Sequence, residues 1–332
     1  MNWLSKLMFW KKKRGRKLPK LHDKETLEKA LQEFGISADA SRKLAHLGRF
    51  SLHLESTKQG RANSRVFSKV GGSPALPNGV EWPFRPSWPQ QVDNGQNSDQ
   101  TGYYQSPQPY NFIAQISFEE MLATGAKGLS LPTQGALYLF YDDLAQCWGF
   151  DPKDVLGFKV IYAPSIENVE IAQKPEFHKD VPSYSEVVLE PKLQFEYCPP
   201  EGLHFENLAM SASDKDAYIQ FVELIEGQSE FGWRYASNHK VLGWSNNVQA
   251  PMEEECALVT SGIYCGGPEG YNSPEAKKIM SEPNEWVQLL EIGTDDKADM
   301  MWGDMGTLFL WIKQSDLESR NFENTWLILQ CS

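Results

Sequence analysis

The residues with most chemical promise in this chain are polar side chains set inside apolar strand patterns. Glu291 interrupts Trp286-Val287-Gln288-Leu289-Leu290-Glu291-Ile292, and Gln115 interrupts Phe112-Ile113-Ala114-Gln115-Ile116. A carboxyl group buried in such a strand without a partner has its pKa raised, as a general acid or base requires. A solvated sheet face or an internal ion pair would use the same residue without catalysis. Lys69 and Lys240 each stand before a turn, Val70-Gly71-Gly72-Ser73-Pro74 in one case and Val241-Leu242-Gly243-Trp244 in the other. Gly71 and Gly72 could cradle a phosphate, but no Lys-Ser or Lys-Thr follows at P-loop spacing and no helix pattern opens there. Tight turns with positive φ explain the pair better. Trp302-Gly303-Asp304-Met305-Gly306 joins an aromatic and an acid in a turn that could line a ligand cleft, and a simple hairpin turn would look the same.

The usual catalytic patterns are missing: no GxSxG elbow, no HExxH, no Walker A loop, no GxGxxG after a strand and no EF-hand loop. The six histidines (His22, His46, His53, His178, His204 and His239) never fall within four residues of one another. Asp142-Asp143 could hold a divalent cation, although turn residues are the simpler reading. Cys256 and Cys265 lack the flanking Cys or His of a zinc site. The pattern therefore implies no metal and no cofactor.

The elements that must position these residues come in one order, twice. A Lys-Val turn at Lys69 is followed by strand patterns ending at Ile116, at Gly135–Tyr141 and at Phe158–Tyr162. From His239 the order returns as Lys240-Val241, Leu289–Ile292, Thr307–Trp311 and Trp326–Leu329. Fixed order at similar spacing predicts an internal duplication, with one unit over about 65–165, a connector over 166–234 and a second unit over about 235–332. In that register Gln115 and Glu291 share a slot, as do Lys69 and Lys240. Ahead of them, Asp23 predicts an N-cap for a helix over Lys24–Phe34, and Ala38–Leu47 repeats the helical spacing, so 21–64 reads as a helical hairpin with 50–66 left open. Residues 85–110, poor in aliphatics and rich in Pro, Gln, Asn and Ser, read as a long mobile loop. The connector carries strand-like Ser185–Leu189 and Leu193–Tyr197 and a helix over about Asp214–Ile225.

Composition sets the outer limits. Across 332 residues, 41% hydrophobic and 12% aromatic content is enough for a sizeable core. The formal charge of −12 argues against a nucleic-acid partner. That total hides an asymmetry: residues 1–20 hold eight basic groups and no acid, leaving 24 basic against 44 acidic residues in the rest. Trp3 and Trp10 flank an apolar patch that runs into Lys11, Lys12, Lys13 and Arg14, a composition suited to the headgroups of an anionic leaflet. A solvated leader has the same composition. Five cysteines are too few and too odd in number for a disulfide framework, and read as reduced, mostly buried thiols of a cytoplasmic protein. No apolar run is long enough to span a bilayer, and no secretory signal pattern opens the chain, so a peripheral site at the inner face of the membrane is the further expectation.

Lys69-Val-Gly-Gly-Ser-Pro-Ala-Leu-Pro, followed by Trp82-Pro, Phe112-Ile-Ala-Gln-Ile and Gly135-Ala-Leu-Tyr-Leu-Phe, resembles the YwqG-like family, a bacterial domain of unknown function. The run Trp302-Gly-Asp-Met-Gly-Thr-Leu-Phe-Leu-Trp and the ending Trp326 to Ser332 are similar to its C-terminal half. The resemblance covers about residues 65–332. It implies an α+β, mainly antiparallel β, internally duplicated fold in the bacterial cytoplasm, and supplies no activity and no catalytic residues. The sequence departs from the family pattern in its longer 85–110 loop and in Trp244-Ser245-Asn246 where a second Gly-rich turn is expected.

Two functional readings follow. One is a binding or interaction module, of immunity or stress-response type, whose acidic surface docks a basic protein or peptide. The other is an undescribed hydrolase or other small-molecule enzyme working in the cleft between the two units. In either case the expected groove is lined by Gly71, Gly72, Trp82, Gln115, Trp244, Glu291, Trp302 and Asp304, and would suit a sugar, a nucleotide base or a peptide segment.

Overall fold

A computed structural model describes residues 21–57, 66–88, 101–126, 128–226 and 239–332. The apolar and basic leader, with Trp3, Trp10, Lys11, Lys12, Lys13 and Arg14, lies outside the described residues.

The chain opens with the helix Lys24–Phe34. The Asp23 side chain accepts from the Thr26 amide at its start, and Gly35 ends it with φ 101°. Leu27, Ala30, Leu31 and Phe34 recur at helical spacing and are all buried. A second helix, Ala38–His46, packs beside it. The following stretch, which the residue pattern leaves open, is strand β1 (Arg49–Thr57), at the centre of the molecule. Further strands are β2 (Lys69–Val70), β3 (Ala75–Pro77), β4 (Phe84–Arg85), β5 (Gln108–Pro109), β6 (Asn111–Ser117), β7 (Ala136–Tyr141), β8 (Phe158–Ala163) and β9 (Val169–Ile171). They are followed by β10 (Val187–Glu196), β11 (His239–Val241), β12 (Trp286–Gly293), β13 (Thr307–Lys313) and β14 (Thr325–Gln330). Pro191 makes the sequence of β10 read as two strands; the structure runs it as one, paired with β1 from Val188 to Glu196.

Ten strands form one antiparallel sheet in the order β14-β13-β12-β11-β1-β10-β2-β6-β7-β8. Its edges approach each other. The Leu329 amide donates to the Trp148 carbonyl at 3.1 Å, the Trp326 indole donates to the Gly149 carbonyl at 2.9 Å, and the Phe158 and Trp326 rings meet edge to face. The sheet is thus a nearly closed barrel, which removes most exposed edge. Both faces are covered, so β7 is buried at every position: Leu137, Leu139 and Tyr141 face one core, Ala136, Tyr138 and Phe140 another. The helices Lys24–Phe34, Ala38–His46 and Ala212–Glu226 close the centre, where Leu31, Phe34, Tyr218 and Phe221 pack with Phe195 and Trp244.

Outward from the central β1–β10 pair the two arms match in detail. Lys69 pairs across strands with Gln115, and Lys240 with Glu291. The Gly71 amide donates to the Ile113 carbonyl, and the Leu242 amide to the Leu289 carbonyl. Each of these carbonyls sits at an irregularity in its strand, where the register shifts between Phe112 and Ala114 or between Gln288 and Leu290. Among the described residues no helix is long and apolar enough to cross a membrane.

Candidate functional site

Period-two alternation puts Leu52, Leu54, Val241, Leu290 and Ile292 on the core side of the central strands. The opposite face of the same four strands carries Ser51 and His53 on β1, Glu196 on β10, Lys240 on β11 and Glu291 on β12. Register makes these residues neighbours, with His53 opposite Lys240 and Lys240 opposite Glu291. All are buried, so their charges must be matched internally. Glu196 accepts from the Ser51 hydroxyl at 2.7 Å and the Trp244 amide at 2.8 Å, and lies 2.9 Å from His53 Nε2 and 3.3 Å from Lys240 Nζ. Lys240 reaches Glu291 at 3.7 Å and donates to the Trp244 carbonyl. Glu291 accepts from the Asn246 amide at 2.9 Å and its side chain at 3.1 Å.

The two carboxyl groups answer Lys240 differently. Burial alone raises both. At Glu196, Lys240 and the hydrogen-bonded His53 outweigh burial and hold the carboxyl down at about 2. At Glu291, burial outweighs the more distant lysine and the carboxyl is raised. His53 Nδ1 is buried with no hydrogen-bond partner among the described residues. The network fixes Trp244 at both backbone atoms, because Glu196 holds its amide and Lys240 its carbonyl.

Over the Trp244 ring, 3.6 Å from its centre, lies the Arg49 guanidinium. The Trp244 indole is tied to the Leu47 carbonyl, and His204 packs on it edge to face. Arg49 is half-buried and donates no hydrogen bond among the described residues; burial lowers its pKa, with Glu253 and Glu196 acting electrostatically the other way. Arg49 is on the wall of a groove of about 340 Å³ that also meets Phe50, Leu129, Leu242, Val287 and Leu317. The Arg320 guanidinium pins one rim by donating to the Ser130 and Leu131 carbonyls. Gly243 forms the floor between groove and charge network: a Cβ there would sit 2.4 Å from Glu196 Oε2 and 2.6 Å from Ser51 Cβ, and φ is +89°.

The structure brings together two of the eight residues singled out from the sequence, Trp244 and Glu291, through Lys240. Gln115 lies in the other arm, accepting from the Ala75 amide and donating to the Phe67 carbonyl. Trp82 is in the core beneath that arm, its indole on the Tyr110 carbonyl. Gly71 and Gly72 have φ of 65° and 72° and abut Ser185 and Glu186. Trp302 packs between Tyr141 and Tyr184 in the main core, and Asp304 is exposed. Arg49, His53 and Glu196 were not singled out. Glu196 carries the same signal as Glu291, a lone carboxylate between Phe195 and Tyr197, whereas His53 looks like one polar position in an alternating strand.

Two other buried polar groups are internally engaged. Asp142 accepts from Arg85, from the Tyr103 hydroxyl at 2.6 Å and from the Ala145 amide, so its charge ties Arg85 and Tyr103 to the end of β7. Asp295 accepts from both Ser56 and His239 and is held well below the usual carboxylate range, against the opposing effect of burial. With the carboxylate between serine and histidine, that order differs from a nucleophilic triad, where histidine takes the hydroxyl proton. The five cysteines are buried and form no disulfide, and no three His, Cys, Asp or Glu among the described residues gather as a metal site.

Residues 68–331 match the family model described as a domain of unknown function, DUF1963. No curated protein matches the chain.

Proposed function

The chain belongs to the DUF1963 family, and on that premise we propose that it is a binding module whose ligand occupies the groove between Gly128–Ser130, the start of β1 and β12. The observation that carries this reading is the construction of the groove. Its volume is at the small end of the roughly 300–1,000 Å³ range of ligand sites, and its walls are apolar with few polar groups. The Arg320 clamp holds one rim in place before any ligand arrives, which lowers the ordering cost of binding. A small-molecule enzyme in the same place is less well supported, because His53, Lys240, Glu196 and Glu291 lie under Gly243 and are engaged with one another.

The internal duplication and the YwqG-like assignment belong to the same proposal. The duplication is supported by the matched pairs Lys69–Gln115 and Lys240–Glu291 and by similar turns after β2 and β11, and the assignment by the family match over residues 68–331. In this reading the groove lies between a loop of the first unit and strands of the second. The test is native mass spectrometry of protein isolated from its host without denaturation. A bound small molecule is expected on the wild type and not on Val287→Phe or Gln314→Trp, both of which fill the groove, provided melting curves show the variants folded. The same adduct on all three proteins, or none on the wild type, counts against the groove.

A further inference from the structure

Resting on that reading, we infer that the groove takes an uncharged ligand, a short hydrocarbon body ending in a hydroxyl. Among the described residues no charged group reaches its walls. Arg49, the one charged residue that borders it, stands opposite Glu196 and carries its guanidinium over Trp244, below the Gly243 floor. Glu196, Lys240 and Glu291 lie below the same floor and are engaged with one another. At the rim, Arg320 is held by the Ser130, Leu131 and Leu317 carbonyls and does not line the groove. A carboxylate or an ammonium entering this space would lose hydration and find no ion-pair partner. A hydrocarbon body gains instead, because Phe50, Leu129, Leu242, Val287 and Leu317 offer apolar contact. Phe50 is 38% exposed although it sits near the start of a central strand, so a ligand covering it removes apolar surface from water.

The hydrogen-bonding capacity left on the walls decides the polar end. Oriented to satisfy its neighbours, the Gln288 carboxamide is engaged by the Leu242 carbonyl and the Leu290 and Glu291 amides. Gln314 and Ser130 meet from opposite walls: Gln314 Nε2 donates to Glu318 at 2.6 Å and to Ser130 Oγ at 3.5 Å. Gln314 Oε1 then remains as an acceptor and the Ser130 O–H as a donor, neither with a partner among the described residues. A ligand hydroxyl both donates and accepts, so one such group satisfies both. A carboxylate only accepts and would face the Gln314 oxygen, with the Glu318 carboxylate behind it. An ammonium only donates and leaves the Ser130 O–H unmatched.

Isothermal titration of the full chain with octanol, octanoate and octylammonium tests this. Octanol is expected to bind the wild type at least about tenfold more tightly than either ion, a difference of about 1.4 kcal/mol. Gln314→Lys places a cation on the wall and should reverse the order in favour of octanoate. Ser130→Ala should weaken octanol about fivefold, the effect of one neutral hydrogen bond. Val287→Phe fills the groove and should weaken octanol most. Ser130, Val287 and Gln314 are all partly exposed, so these variants should fold. Either ion binding the wild type as tightly as octanol, or no octanol binding at millimolar concentration, overturns the inference. Octanol still preferred by Gln314→Lys, or unchanged on Ser130→Ala, overturns the placing of the hydroxyl. If an ion binds best and Val287→Phe weakens it, the groove stands and the uncharged ligand does not. If Val287→Phe leaves octanol binding unchanged, the groove itself is refuted.

Discussion

Replacing Lys240 by methionine removes the one cation that stands between two buried carboxyl groups, 3.3 Å from Glu196 and 3.7 Å from Glu291. Methionine keeps much of the volume, so the loss is mainly electrostatic. Breaking a buried pair by removing one partner costs about 3–5 kcal/mol, because the remaining charge is uncompensated. The structure supports the lower part of that range. Holding Glu196 at about 2 against an ordinary 4.5 corresponds to about 3 kcal/mol, and Ser51, His53 and the Trp244 amide remain to share what Lys240 leaves behind. The pH dependence separates this from a packing defect. A carboxyl with a depressed folded pKa contributes stability that is present above its unfolded value and lost as pH falls through the folded value, here from about 4.5 towards 2. Without Lys240 much of that contribution is lost, so the gap between wild type and variant should be widest at pH 7 and close as the carboxyl groups protonate. Urea unfolding followed by tryptophan fluorescence at pH 7 and about pH 2.5 measures it. Adding Glu291→Gln to Lys240→Met should restore part of the loss, since it removes one of the two unpaired charges. A variant within 1 kcal/mol of wild type at pH 7, or a gap of the same size at about pH 2.5, would refute the reasoning.

Three further expectations follow from separate parts of the molecule. Gly243→Ala should destabilise well beyond Gly35→Ala: both have positive φ and incur about 1–2 kcal/mol of backbone strain, but only at Gly243 does the new Cβ meet Glu196 and Ser51. Equal melting temperatures for the two would show that the floor of the groove yields. Glu255 is buried, accepts among the described residues only from the Tyr271 hydroxyl, and burial raises its carboxyl to about 7 from an ordinary 4.5, so the wild type should lose stability as pH rises from 4.5 to 7. Glu255→Gln should therefore gain up to about 3 kcal/mol at pH 8 and almost nothing at pH 4, checked by chemical unfolding at both; a gain of equal size at both would rule out titration as the cause. For the leader, full-length protein should pellet with anionic liposomes more than protein starting at Leu21, and the difference should shrink at high salt, where exposed charges are screened within about 10 Å at 0.1 M. Equal pelleting of the two would leave a solvated leader.

Local pattern was enough for the first helix, because Asp23, the spacing of Leu27, Leu31 and Phe34, and Gly35 each act within a few residues. It was also enough for β6, β7, β12, β13 and β14, where apolar and β-branched runs leave no other reading. Residue order alone could not place β1. Its partner β10 lies well over a hundred residues further along, and its alternating Ser51, Leu52, His53 and Leu54 suit a solvated strand as well as a buried one. Only tertiary register decided that Glu196 meets His53 across 143 positions of chain, that Lys240 lies between Glu196 and Glu291, and that Gln115 caps backbone. A buried charge is set by what surrounds it on neighbouring strands, and in this sheet those neighbours come from four separate stretches of sequence. Arg49 shows the same division: its type is written in the chain, but its place over Trp244 at the edge of a groove exists only once β1 has paired with β10 and β11.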